Sequence, residues 1–197
     1  MDENLQAALR VADALDALGV RWFLGGSLAS SAHGVPRATL DADIVADLQP
    51  QQVKLLLKAI GEGWYADEQA IRDAIANRSS FNLIHLDTAM KVDVFVPKHR
   101  KFDAEQFDRV QRTPVAEGSS IEVPVCAAED IVVAKLEWFR MGHETSDRQW
   151  NDILGVLRLN TPTLDFALMQ HHAMGLGVLD LLTKALQEAR ISDSGHQ

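Results

Sequence analysis

The stretch that decides the fold is VRWFLGGSLASSAHGVPRATLDADIVA, residues 20–46. Its first five residues form an apolar run with two aromatic side chains, which predicts a strand. The run ends at Gly25-Gly26, which predicts a tight turn. Ser27 follows as a candidate N-cap for a short helix over residues 28–33. The predicted order is therefore strand, glycine turn and short helix.

After a loop, residues 40–46 predict a second strand that carries Asp41 and Asp43. Because side chains in a strand alternate between its two faces, both carboxylates project from one face. Two adjacent carboxylates repel, and each resists ionisation unless a cation neutralises the pair. The alternative is a strand edge whose acids are merely exposed to solvent. The pattern thus predicts either a cation site or a solvated edge.

A third acid, Asp93, interrupts the apolar strand KVDVFV, residues 91–96. Its face also carries Lys91, whereas the valines point to the other face. Three carboxylates that converge on one point suit Mg²⁺, which prefers few protein ligands together with substrate phosphates. The glycine turn supplies backbone amides and a helix N-terminus, which predict a phosphate cradle. Asp87, at the preceding hairpin turn, is the rival for the third carboxylate.

The rest of the chain is a mixed α/β part followed by helices. Hydrophobic periodicity predicts helices at 3–18, 50–60, 68–76, 128–140, 146–159, 164–172 and 178–189, and hairpins at 81–86 with 91–96 and at 110–115 with 121–125. We expect a catalytic core over residues 1–125 and a helical region over residues 126–197 packed on that core.

Composition narrows the class of protein. The 197 residues carry a formal net charge of −9 and a single cysteine, which excludes an internal disulfide. We expect a cytoplasmic protein with no membrane partner, because no apolar run is long enough to span a bilayer and the acidic N-terminus does not resemble a signal peptide. Residues 91–112 hold six basic side chains, which form either a local face for RNA or a solvated surface.

The motifs resemble those of a known superfamily. Gly25-Gly26-Ser27, then Gly34-x-Pro36-Arg37-x-Thr39-x-Asp41-x-Asp43, and then Asp93 resemble the nucleotidyltransferase superfamily that includes DNA polymerase β. The tail resembles the minimal nucleotidyltransferases of the abortive-infection AbiE toxin type, related to the MenT toxins. Its matching residues are Pro124-Val125, Glu129-Asp130, Lys135-Leu136 and Arg148-x-x-x-Asp152-Ile153. The resemblance covers roughly residues 15–160.

This resemblance implies a nucleotidyltransferase fold: an α/β (α+β) protein with a mixed twisted sheet flanked by helices and a helical C-terminal region. Asp41, Asp43 and Asp93 would hold two Mg²⁺ or Mn²⁺ ions. The turn of Gly25, Gly26 and Ser27 would bind the NTP.

The implied reaction transfers NMP from the NTP to an acceptor hydroxyl and releases pyrophosphate. The implied acceptor is an RNA or tRNA end, a protein or a small molecule. The chain would then be an enzyme. One class of such enzymes is the toxin of a toxin–antitoxin pair, which implies a cognate antitoxin. The alternative is a non-catalytic nucleotide-binding regulatory or antitoxin-like module of the same fold.

Three further residues are candidates for the site. Lys135 lies in an apolar helical stripe, where it either snorkels to solvent or reaches into the active cleft to touch phosphates. Asp152 matches an active-site aspartate of the AbiE-type enzymes, and its alternative is an i,i+4 pair with Arg148. Arg37, in the loop before the Asp41 strand, either contacts the nucleotide or is a solvated charge.

Overall fold

The computed structural model describes residues 3–33, 41–114 and 119–189. They form two compact units, one of residues 3–28, 41–114 and 119–126 and the other of residues 29–33 and 127–189. The strands are β1 (Trp22–Leu24), β2 (Asp41–Ala46), β3 (Trp64–Tyr65), β4 (Ser80–His85), β5 (Met90–Phe95), β6 (Gln111–Pro114) and β7 (Glu122–Val125). The helices are α1 (Glu3–Ala17), α2 (Gly26–His33), α3 (Val53–Ile60), α4 (Glu68–Asn77), α5 (Lys101–Gln106), α6 (Ala128–Met141), α7 (Asp147–Asn160), α8 (Phe166–Gly175) and α9 (Leu179–Glu188).

The first unit is built on a sheet whose described strands run in the order β3-β4-β5-β2-β1-β7-β6. It is mixed, as expected: β2 is parallel to β5 and antiparallel to β1, and β1 is parallel to β7. The two predicted hairpins are confirmed, since β4 pairs antiparallel with β5 and β6 pairs antiparallel with β7. The sheet thus brings β2 and β5 side by side although 43 residues separate Ala46 from Met90.

One face of β2 and β5 is the core of this unit. Ala42 and Ile44 on β2 are fully buried, as are Val92 and Val94 on β5. Helix α1 contacts both strands and buries Val11 and Leu15 completely. Because strand side chains alternate, this burial leaves the acids of β2 and β5 on the opposite face. The hydrophobic pattern therefore determines which face carries the candidate site.

The structure differs from the sequence-based elements at several points. Helix α2 begins at Gly26, so Ser27 lies in its first turn and does not act as the N-cap. The helix predicted from Pro50 is a 3-10 turn, Pro50–Gln52, followed by α3. Strand β3 and helix α5 were not predicted, because elements of two and six residues carry too few side chains to show a period.

The second unit is helical in its described part. Helix α6 packs on α7 and α8, and α9 contacts α7. The core of this unit includes the fully buried side chains Leu136, Ile153, Leu157, Met169 and Leu182. Among the described helices, none combines the length and apolar character that crossing a bilayer needs. The division into a core of residues 1–125 and a packed helical region of residues 126–197 stays a prediction.

Candidate active site

The parallel pairing of β2 with β5 brings the predicted acids together. Asp43 lies directly opposite Asp93 in the register, and Asp41 lies opposite Lys91. Asp41 is exposed, whereas Asp43 and Asp93 are half-buried. The three carboxylates therefore share one face of two neighbouring strands. Asp87, the rival for the third position, lies exposed in the turn of the β4–β5 hairpin, away from this register.

The glycine turn is built around Asp43. The backbone amide of Gly25 donates to the carbonyl oxygen of Asp43 at 2.9 Å, and the amide of Ser27 donates to its Oδ2 at 3.1 Å. Gly26 has φ +51°, and a Cβ at this position would overlap the Asp43 carboxylate. Glycine is required here both by the backbone conformation and by the close approach of this carboxylate.

This geometry changes the expected role of the turn. The sequence predicts that its amides cradle a phosphate, but two of the three amides bind Asp43. The turn thus fixes the position of a carboxylate, and an anion that approached these amides would compete with Asp43 for them. The Ser27 hydroxyl is the part of the predicted cradle that does not depend on those two amides.

Asp93 is held by neighbouring side chains. Lys91 Nζ lies 2.8 Å from Asp93 Oδ2, and Asn82 Nδ2 donates to Asp93 Oδ1 at 2.9 Å. Asn82 was not predicted as a site residue, although the β4–β5 hairpin places it directly opposite Asp93. The hydrogen bond from Lys91 to Asp93, followed by the negative charges of Asp93, Asp41 and Asp43, raises the pKa of Lys91 above its ordinary 10.5 against the opposing effect of burial.

The donor set matches a hard divalent cation in its chemistry. All three acids offer carboxylate oxygens, and Mg²⁺ accepts one or two protein carboxylates completed by water and phosphate oxygens. Among the described residues, however, no three His, Cys, Asp or Glu side chains are gathered closely enough to form a metal cage by themselves. The reason lies in the contacts above: Asp43 points to the glycine turn and Asp93 to Lys91 and Asn82.

In the second unit, Lys135 and Asp152 form an ion pair, with Lys135 Nζ 2.9 Å from Asp152 Oδ2. Their side chains are only 9% and 14% exposed, so Lys135 does not snorkel into solvent. The helical stripe that predicted an unusual lysine is therefore explained by a partner on the next helix. Whether this pair serves the carboxylates of the first unit stays a prediction. Arg37 lies outside the described residues.

The basic stretch at residues 91–112 is largely neutralised within the first unit. In addition to the Lys91–Asp93 pair, Arg100 pairs with Asp103, Lys101 and Arg109 both pair with Glu105, and Arg112 pairs with Glu122. Five of its six basic side chains thus have a carboxylate within ion-pair distance. The local excess of positive charge that the sequence alone indicates is much reduced.

Solved structures of other proteins share the fold of this chain. No family model and no curated protein matches the sequence. Among solved structures, an antigenic nucleotidyltransferase-like protein from Paracoccidioides brasiliensis is 19% identical, with a TM-score of 0.56 over 95% of this chain and 92% of that chain. The antibiotic-resistance factor ANT(2'')-Ia is 13% identical, with a TM-score of 0.54 over 96% of this chain and 98% of that chain.

A third structure, the lincomycin-bound lincosamide antibiotic adenylyltransferase LnuA, is 17% identical with a TM-score of 0.49 over 77% of this chain and 94% of that chain. The fold assignment rests on the first two structures, which match nearly the whole chain. At identities of 13% and 19%, this similarity concerns the fold. The chain has the nucleotidyltransferase fold that its glycine turn and paired acids predicted.

Proposed function

We propose that the protein is a metal-dependent nucleotidyltransferase that moves NMP from an NTP to an acceptor hydroxyl and releases pyrophosphate. The observation that carries this proposal is the direct opposition of Asp43 and Asp93 beside a glycine turn built around Asp43. Like charges opposed across strands repel, so this arrangement favours a cation on that face, and Lys91 supplies one positive charge there for three carboxylates.

Each residue has a defined part in this proposal. Asp41 and Asp43 would hold Mg²⁺ or Mn²⁺, and Asp93 would complete the set and assist deprotonation of the acceptor hydroxyl. Two such ions, when bound, neutralise charge on the attacking and leaving oxygens of an in-line displacement. Gly26 keeps the backbone close to Asp43, and the Ser27 hydroxyl at the start of α2 would donate to the triphosphate.

The second unit and the loop contribute further parts of the same proposal. Lys135 would contact phosphates as a point charge, with Asp152 2.9 Å away to orient its ammonium group. Arg37 would contact the nucleotide from the loop before β2. Membership of the AbiE and MenT group, a toxin role and a cognate antitoxin are kept as predictions from the tail motif alone.

A small hydroxyl-bearing molecule is the acceptor that the charges favour. The net charge of −9 opposes the approach of a nucleic acid, and the basic stretch at residues 91–112 is paired with carboxylates. One of the two proteins of similar fold is an antibiotic-resistance factor, and we therefore include antibiotics among the acceptors to be tested. An RNA end and a protein hydroxyl are the other acceptors that the test includes.

The test incubates the protein with labelled NTPs and Mg²⁺ or Mn²⁺ against hydroxyl-bearing antibiotics, total RNA and a protein lysate. We expect transfer of label to one class and release of pyrophosphate. Asp43→Asn and Asp93→Asn should each reduce transfer at least a hundredfold, as expected for loss of a charge-stabilising ligand. Asp87→Asn is the matched control, because this exposed acid lies in the same hairpin and its loss should leave transfer unchanged.

Equal loss with Asp87→Asn and Asp93→Asn would contradict the assignment of the third carboxylate. The binding-module alternative is favoured by one observation, that both oxygens of Asp93 already have partners. It predicts that the folded protein binds an NTP but releases no pyrophosphate with any metal or acceptor. Measured nucleotide binding without turnover would therefore favour the non-catalytic nucleotide-binding module over the enzyme.

A further inference from the structure

The contact between Lys91 and Asp93 has a consequence for the proposed metal site. Lys91 and Asp93 are two residues apart on β5, so their side chains leave the same face of the strand. The ammonium group lies 2.8 Å from Oδ2, and Asn82 engages Oδ1. In this arrangement both oxygens of the third carboxylate are occupied by groups of the protein itself.

Lys91 is also the residue opposite Asp41 across the β2–β5 pair, and Asp43 is opposite Asp93. One ammonium group thus lies on the sheet face from which all three candidate ligands project. A positive charge at this position lowers the repulsion among the carboxylates, and a divalent cation would do the same. The two cations would therefore favour the same carboxylates, and each would repel the other.

We propose that Lys91 is a positioning residue that competes with the divalent cation for Asp93, holding this carboxylate in place until the ion displaces it. The proposal rests on the proposed metal site and deepens it. Asn82 keeps its hydrogen bond to Oδ1, so that Asp93 can exchange its Oδ2 partner without losing its orientation. An ion pair that lay away from the carboxylates of the site would influence stability without changing the affinity for the ion.

The experiment measures Mn²⁺ binding to the full chain without nucleotide, by electron paramagnetic resonance of the unbound ion. Lys91→Met removes the competing charge, and we expect the dissociation constant for Mn²⁺ to fall about two- to fivefold, the range for losing a partly exposed ion pair. Lys91→Arg retains the charge and should bind Mn²⁺ about as the unmodified protein does. Lys54→Met is the matched control, because Lys54 is exposed on α3 and its loss changes the net charge equally.

Thermal unfolding gives a second readout. Saturating Mn²⁺ should raise the unfolding temperature of Lys91→Met by more than that of the unmodified protein or Lys54→Met, because only in Lys91→Met do the carboxylates lack their internal cation. If Lys91→Met does not fold, Mg²⁺ is titrated into the unmodified protein and the side-chain NMR signal of Lys91 is followed. We expect this signal to shift while that of Lys54 does not.

The outcomes separate the two proposals. An Mn²⁺ affinity in Lys91→Met that equals or falls below that of Lys54→Met overturns the competition but leaves the metal site intact. In the NMR titration, a Lys91 signal that stays fixed under saturating Mg²⁺ has the same meaning. Absence of Mn²⁺ binding in all four proteins overturns the competition and the proposed metal site together.

Discussion

Replacing Gly26 by alanine tests the geometry on which the candidate site depends. An alanine at φ +51° is in the left-handed region, which costs a non-glycine residue about 1–2 kcal/mol. Its Cβ would also overlap the Asp43 carboxylate, so that side chain must move away from the turn. The hydrogen bond from the Ser27 amide to Asp43 is then lost, which costs about 1.5–3 kcal/mol for a charged acceptor.

Gly19 provides a matched control. It has φ +66°, and a Cβ there would meet nothing within 4 Å. Gly19→Ala should therefore cost only the free energy of placing alanine in the left-handed backbone conformation. Gly26→Ala should cost this free energy and that of the lost hydrogen bond to Asp43. We expect the free energy of unfolding to fall by about 1–2 kcal/mol in the first variant and by about 2.5–5 kcal/mol in the second.

Denaturation by urea, followed by tryptophan fluorescence, measures both free energies of unfolding. Mn²⁺ binding to the folded proteins should be weakened by Gly26→Ala and unchanged by Gly19→Ala. The reasoning is refuted if the two variants lose equal stability and both retain Mn²⁺ affinity. Such a result would mean that the glycine turn does not position Asp43.

Two further predictions concern the second unit. Lys135→Met should lower the free energy of unfolding by about 3 kcal/mol, because it leaves the largely buried Asp152 without this cation. The double variant Lys135→Met with Asp152→Leu should recover most of this loss. A Lys135→Met protein as stable as the unmodified protein would contradict the prediction. The hydrogen bond from Arg140 lowers the pKa of Asp180 below 3.8, so this pair stabilises the fold above that pH and loses its effect as the pH falls through the lowered value. Asp180→Asn should reduce the acid dependence of the unfolding temperature, and identical pH profiles would count against the pair.

The stability expected for Lys135→Met shows where sequence reasoning is incomplete. From the helical stripe alone, replacing a lysine among apolar neighbours is expected to leave stability equal or greater. The structure reverses this expectation, because Asp152 on α7 supplies the partner. The partner is 17 residues away on another helix, and no period in the sequence reports which helix faces contact each other.

The sheet shows the opposite case. The alternation of β2 and β5 predicted correctly which residues are buried, and the two hairpins followed from local turn signals. The sequence could not give the pairing of β2 with β5, because a parallel pair is joined through a long connection. The opposition of Asp43 to Asp93 therefore became visible only when the register was known.

Asp93 also shows how a correct premise can lead to an incomplete conclusion. An acid in an apolar strand needs a partner, and the three acids of the sequence motif indicate a metal ion in that role. Lys91, two residues earlier on the same face, is a nearer partner that the period of the strand already indicated. Lys91 and a metal ion can both be the partner of Asp93 if Lys91 pairs with this carboxylate only while no ion is bound.

The two opposed carboxylates are consequently held in different ways. Backbone amides fix Asp43, and the absence of a side chain at Gly26 makes this arrangement hard to alter without moving the chain. Side chains hold Asp93, and Lys91 is flexible and 37% exposed, so its contact breaks at much lower cost. An ion that binds on this face of the two strands would therefore find one ligand already in place and one that must exchange its partner. We therefore expect substitution of Lys91, the partner of Asp93, to tune the affinity of the proposed metal site, and substitution of either carboxylate to remove that site.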